Sequence, residues 1–147
     1  MRPKVLVLVW VVMAAALAAV SAQAPLVHVE TAWVRQPAPS RDVSAAYLVI
    51  VNDGDSPVKI VGAASSKAKT VEMHEMAMEN RMMRMRRIDD ITVPAHGRVA
   101  LEPSGMHLML FGLPTPLEAG VVIPLTLTLD SGATIAVDAP VRAPGTN

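Results

Sequence analysis

Eight of the chain's ten methionines lie between Met73 and Met109, together with three of its four histidines. Methionine usually fills gaps in a core, and Met73, Met106 and Met82 are read that way. Others fit that role poorly. In the run His107-Leu108-Met109 a strand would turn residues i and i+2 to the same side. His107 and Met109 then share one face, and Met106, Leu108 and Leu110 share the other. If the Met-Leu-Leu stripe is buried, the His-Met pair looks away from the core, where methionine has no packing role. The segment Thr70 to Ile88 reads as a hairpin with a second such pair. A turn centred on Glu79-Asn80 sets His74 opposite Met85, with Cβ atoms about 4.5–5.5 Å apart. A turn centred on Asn80-Arg81 sets Met76 opposite Met85 and makes His74 a diagonal neighbour, about 7–8 Å away. Both registers leave His74, Met76, Met83 and Met85 on one face.

The chemistry of that set is specific. Thioether sulfur is soft and neutral and selects Cu(I) over zinc, magnesium or calcium, while imidazole is a borderline ligand that adds affinity. Zinc normally draws on Cys, His, Asp or Glu. The chain has no cysteine, which excludes a blue-copper electron-transfer centre and any disulfide. His28 and His96 have no methionine two residues away and read as surface residues. Asp53-Asp55 and Asp89-Asp90 sit in turn-like sequence, where aspartate has a local reason to be. No nucleophile stands beside a base and no glycine loop suits a phosphate, so the sequence does not read as an enzyme. With 13 Lys and Arg against 13 Asp and Glu, scattered along the chain, and one Phe, one Tyr and two Trp, nucleic acid is excluded as a partner.

The elements that must hold these residues are strands. Val27–Val34, Ala46–Val51, Val58–Ala63, Thr70–Met78, Met82–Ile88, Ile91–Val93, Arg98–Glu102, Met106–Leu110, Val121–Leu129 and Thr134–Val141 are apolar, alternating or β-branched runs. Turn signals such as Asn52-Asp53-Gly54-Asp55, Pro94-Ala95-His96-Gly97 and Asp130-Ser131-Gly132 separate them. No stretch sustains a helical stripe over three turns. Many short strands predict an all-β, Greek-key sandwich or barrel. Ahead of it, Arg2 and Lys4 precede an uncharged run, Val5 to Val20, and the small residues Val20-Ser21-Ala22, the pattern of a cleaved secretory signal over 1–22. An uncleaved anchor is the other reading of that run. No cysteine follows it, so a lipoprotein anchor is not expected. The expected organisation is a signal peptide at 1–22, one domain at 27–141 and a short flexible tail at 142–147, in an exported monomer.

His74, Met85, His107 and Met109 are spaced as H-x10-M-x21-H-x-M. In this the chain resembles the periplasmic copper chaperones called PCuAC. Ala32-Trp33-Val34-Arg35, Ala45-Ala46-Tyr47-Leu48 and Val71-Glu72-Met73-His74-Glu75-Met76 also resemble that family, as do Leu108-Met109-Leu110, Gly112-Leu113 and Leu125-Thr126-Leu127-Thr128. The resemblance implies a cupredoxin-like β fold and one Cu(I) per chain, held by those four residues. It further implies delivery in the periplasm to a copper-receiving protein, the CuA centre of cytochrome c oxidase. A buffering or resistance protein of the same fold, and a metal-free β-sandwich interaction module, are the competing readings. Ser104-Gly105-Met106 stands where relatives often have a glycine pair, and the ending Pro144-Gly145-Thr146-Asn147 lacks the His- and Met-rich extension of some members.

Overall fold

The computed structural model describes residues 26–146; the expected signal segment, 1–22, lies outside them. Ten strands and no helix make up the described chain. They are β1 (Val27–Arg35), β2 (Val43–Asn52), β3 (Val58–Ala64), β4 (Thr70–Glu79), β5 (Met82–Arg87), β6 (Ile91–Val93), β7 (Gly97–Ala100), β8 (His107–Phe111), β9 (Val122–Leu129) and β10 (Thr134–Arg142). Hydrogen bonds link them in the order β5-β4-β8-β2-β1-β10-β9-β3-β6, with β7 on the far part of β2. β8 lies between β4 and β2, and β10 between β1 and β9, which are the crossovers of a Greek-key arrangement. The last strand runs through Arg142, one residue past the expected domain boundary.

Period-two alternation explains the layers. In β9, Ile123, Leu125, Leu127 and Leu129 are buried while Val122 and Thr126 face solvent. In β2, Ala46, Leu48 and Ile50 point the same way as Leu108 and Leu110 of β8 and Met73 of β4. These stripes meet those of β3, β6, β9 and β10 in one apolar cluster. Pro124 is tolerated in β9 because the β3 ladder ends at Ala64↔Thr126, two residues short of it. The two halves of the ribbon join through the parallel pairs Val34↔Val141 and Arg35↔Arg142.

One buried polar residue pins the corner between β2 and β3. Asn52 is almost fully buried, and its Nδ2 donates to the carbonyls of Ser56 (2.8 Å), Pro94 (3.2 Å) and Val93 (3.3 Å). Its Oδ1 accepts from the Gly54 amide at 2.9 Å. Both ends of its amide are hydrogen-bonded, so alanine would leave buried partners unpaired. Asn52→Ala is expected to cost about 1–3 kcal/mol in urea denaturation, the range for orphaning a buried hydrogen-bonding group. A loss below about 0.5 kcal/mol, the level of an ordinary surface change, would show that the corner holds without it.

Candidate metal centre

The hairpin register decides how the imidazoles meet. Asn80 (φ 49°) and Arg81 (φ 65°) form a two-residue turn with both residues left-handed, the geometry that matches strand twist in tight hairpins. The pairing is therefore Met76↔Met85 and Met78↔Met83, the second of the two expected registers, and His74 lies opposite Arg87. On its other side β4 pairs with β8, which puts His74 directly opposite His107 and Glu72 opposite Met109. The two rings stand 5.9 Å apart between centroids.

Each histidine has one ring nitrogen beside an oxygen acceptor, and only the other nitrogen of His74 is without a partner. His107 is 6% exposed. Its Nδ1 lies 3.2 Å from the Gly105 carbonyl. The carbonyl only accepts, so this contact is a hydrogen bond in the tautomer with Nδ1 protonated, which leaves the lone pair on Nε2. That Nε2 faces the Met85 sulfur at 3.1 Å. His74 has its Nε2 2.8 Å from a Glu72 carboxylate oxygen, and its Nδ1 is buried with no hydrogen-bond partner. Donation from Nε2 to the carboxylate leaves the Nδ1 lone pair unused, the arrangement in which a second group fixes the tautomer of a metal-ligating histidine. Glu72 is held in turn by Arg87 at 3.5 Å.

Loop and aromatic groups complete the frame. The Gly105 carbonyl takes a second hydrogen bond, from the Met76 amide at 3.2 Å, and so ties the hairpin to the turn that carries His107. That turn is closed by Gly105 N–H to Glu102 O and Glu102 N–H to Met106 O. Tyr47 packs beside His107 with ring centroids 6.4 Å apart and against Trp33 at 4.7 Å. Burial pushes its phenol above the usual value, against the opposing pull of Arg35, whose guanidinium lies over the ring.

The structure thus brings His74, Met85 and His107 together. Met109 is half-buried on the His107 face, where it lines a groove with Ala45 and the Arg35–Arg41 segment. Met73 is core and Met106 packs partly against the core, as expected. Met82 is not: it is exposed, opposite Glu79 on the other face of the hairpin, because that face of β5 lies outside the apolar cluster. His28 pairs with Asp53 (3.4 Å) and His96 with Asp55 (2.7 Å), both in the open. Among the described residues no three His, Asp or Glu side chains converge as a metal site. Glu72 was not singled out from the sequence, although its spacing of two from His74 on one strand was a usable signal. The Gly105 carbonyl had none, since it depends on the loop's path.

Known proteins share this architecture. The copper-bound PCuAC domain from PmoF2 is 26% identical over 82% of this chain and 95% of that domain, with a TM-score of 0.68. The Cu(I) form of DR1885 from Deinococcus radiodurans is 36% identical over 84% of this chain and 83% of its own, with a TM-score of 0.65. The all-β, cupredoxin-like expectation is met by these neighbours. In sequence, the protein named "Putative lipoprotein Lxx21020" from Leifsonia xyli subsp. xyli (strain CTCB07) is 37% identical over 121 residues, 82% of this chain and 72% of that protein. Residues 27–141 match the family described as "Putative lipoprotein LpqE-like". On that match, and on the Leifsonia relative, the chain belongs to the LpqE-like family.

Proposed function

We propose that the protein binds one Cu(I) tightly through His74, Met85, His107 and Met109 and carries it without chemical turnover. The observation that carries this reading is the grouping of two imidazoles with a thioether. Nδ1 of His74 is buried and unpartnered, and Nε2 of His107 faces a thioether. Two imidazoles and two thioethers form a neutral set suited to a soft monovalent ion, and none of the four is a thiolate that could be oxidised. Met109 stands two residues from His107 on the same strand face, with an unbranched, three-bond side chain to reach from there.

The copper-bound PCuAC domain and the Cu(I) form of DR1885 support the identity of the cargo. The lipoprotein names of the relatives, together with the Arg2-Lys4 and Val5–Val20 pattern, support an exported protein of the cell envelope, in the periplasm after cleavage near residue 22. Met85 is exposed on an edge strand, which suits hand-over to a second protein better than sealed storage. The receiver in this reading is a copper-requiring partner, and the CuA centre of cytochrome c oxidase is the one the PCuAC resemblance implies.

Anaerobic titration with Cu(I) against a chromophoric chelator tests the central claim. One equivalent should resist the chelator, and Zn(II) at equal concentration should not displace it. Zinc bound at the same residues with comparable affinity would overturn the thioether assignment.

A further inference from the structure

Beyond His74, where its pairing with β8 ends, the β4–β5 hairpin extends from the body of the protein and has two unlike faces. One carries Glu75, Ala77 and Glu79 opposite Arg86, Arg84 and Met82. Its charges are matched, with Arg86 Nε donating to Glu75 at 2.6 Å and Arg84 near Glu79 at 3.9 Å. The other face carries Met76 and Met78 opposite Met85 and Met83, four thioethers in two facing pairs. Met78 is 65% exposed, Met83 50% and Met85 47%. Of the four, Met85 touches the buried His107, and Met78 and Met83 stand open. A surface hairpin stabilised by its ion-paired face has no folding reason to set apolar side chains in register on the opposite one.

The spacing suits a metal. Facing Cβ atoms in such a pair are about 4.5–5.5 Å apart, and successive pairs on one face are separated by about 6.6–6.8 Å. Methionine's three rotatable bonds let three sulfurs from these positions converge on one point. Position along the hairpin adds a direction. Met78 and Met83 lie next to the Asn80-Arg81 turn, Met76 and Met85 one step inward, and Met85 already touches His107. Exposure falls along the same line, from Met78 to half-buried Met76, to the His74 side chain at 13% and to buried His107.

We propose that Met76, Met78 and Met83 form a second, weaker and all-thioether site for Cu(I), an entry and exit position for cargo that reaches His74 and His107 through Met85. Transfer along it is ligand exchange. One sulfur–copper bond forms as another breaks, copper stays Cu(I), and no proton or electron moves. The site goes beyond the four-residue centre and can be tested apart from it.

Silver(I) is the probe, a soft monovalent ion that stays in one oxidation state. The protein, labelled at its methionine methyls, is titrated with Ag(I) while the methyl resonances are followed. The Met85 and Met109 signals should move with the first equivalent, and those of Met78 and Met83 with a second of at least tenfold lower affinity. In the double variant Met78→Leu/Met83→Leu, an isosteric change on exposed positions, the second equivalent should vanish and the first remain, with unchanged thermal stability. Met78 and Met83 signals that stay still after the first equivalent, or a second equivalent that survives in the variant, would overturn the inference and leave the four-residue centre intact. Movement of Met78 and Met83 without movement of Met85 and Met109 would uphold the hairpin site and overturn the central one.

Discussion

Replacing His107 with alanine is expected to lower Cu(I) affinity by more than about 100-fold, beyond the roughly 10–100-fold that loss of a supporting group around a metal ligand costs. The reason is geometric. His107 Nε2 faces the Met85 sulfur, and the ring stands opposite His74. Its removal also leaves a gap beside Tyr47 and takes one donor from the Gly105 carbonyl, so some loss of metal-free stability should accompany it. Met85→Leu supplies the control. Met85 is exposed, and leucine conserves its volume while removing sulfur, so the metal-free protein should melt as the wild type does. Its affinity should still fall. If both side chains hold one ion, the double variant should lose less than the sum of the two single losses, since removing either already breaks the shared centre. Competition titrations on the four proteins measure this. Additive losses would mean that the two side chains act on different ions.

The second large effect falls on stability and divides one strand by parity. Leu108→Ala should cost about 2–5 kcal/mol in urea denaturation, because it empties a fully buried position among the β2 and β4 stripes. Met109→Leu, one residue away, should cost less than about 1.5 kcal/mol as a volume-conserving change, yet weaken Cu(I) binding. A large stability loss from Met109→Leu would mean that its side chain packs in the body of the fold and that the face assignment is wrong.

That contrast was legible in the sequence because alternation is local: His107 and Met109 had to share a side whatever the strand paired with. The strand order was not local. Nothing in the run Met106 to Leu110 says that β8 inserts between β4 and β2, and only that insertion sets His107 across from His74. The hairpin register stood between two readings because Glu79-Asn80 and Asn80-Arg81 are both plausible turn centres. Left-handed backbone at Asn80 and Arg81 decides it, and asparagine tolerates that region better than most residues. Met82 was misread for a related reason. Apolar character suggests burial, but a strand that outruns the core buries nothing on either face. The Glu72–His74 contact lay within reach of the same parity argument that paired His107 with Met109. The Gly105 carbonyl did not, because a backbone acceptor carries no mark in the sequence.

The edge position of β5 has a consequence for how its backbone behaves in time. All six of its residues are exposed, and among the described residues β4 is its sole partner strand. A two-stranded ribbon with no apolar layer beneath it is marginally stable, so β5 should open locally at a small fraction of the global unfolding free energy. In the proposed centre, Met85 is the ligand that β5 contributes, which makes the ion a clasp between a fraying strand and a rigid body. Bound cargo then adds its own binding energy to that local equilibrium, and the Arg84 and Arg86 amides should exchange with solvent more slowly when copper is present. The reverse also holds. Each opening of β5 withdraws one sulfur while His74, His107 and the apolar interior stay as they are, so the ion can be released at the edge without loosening the fold.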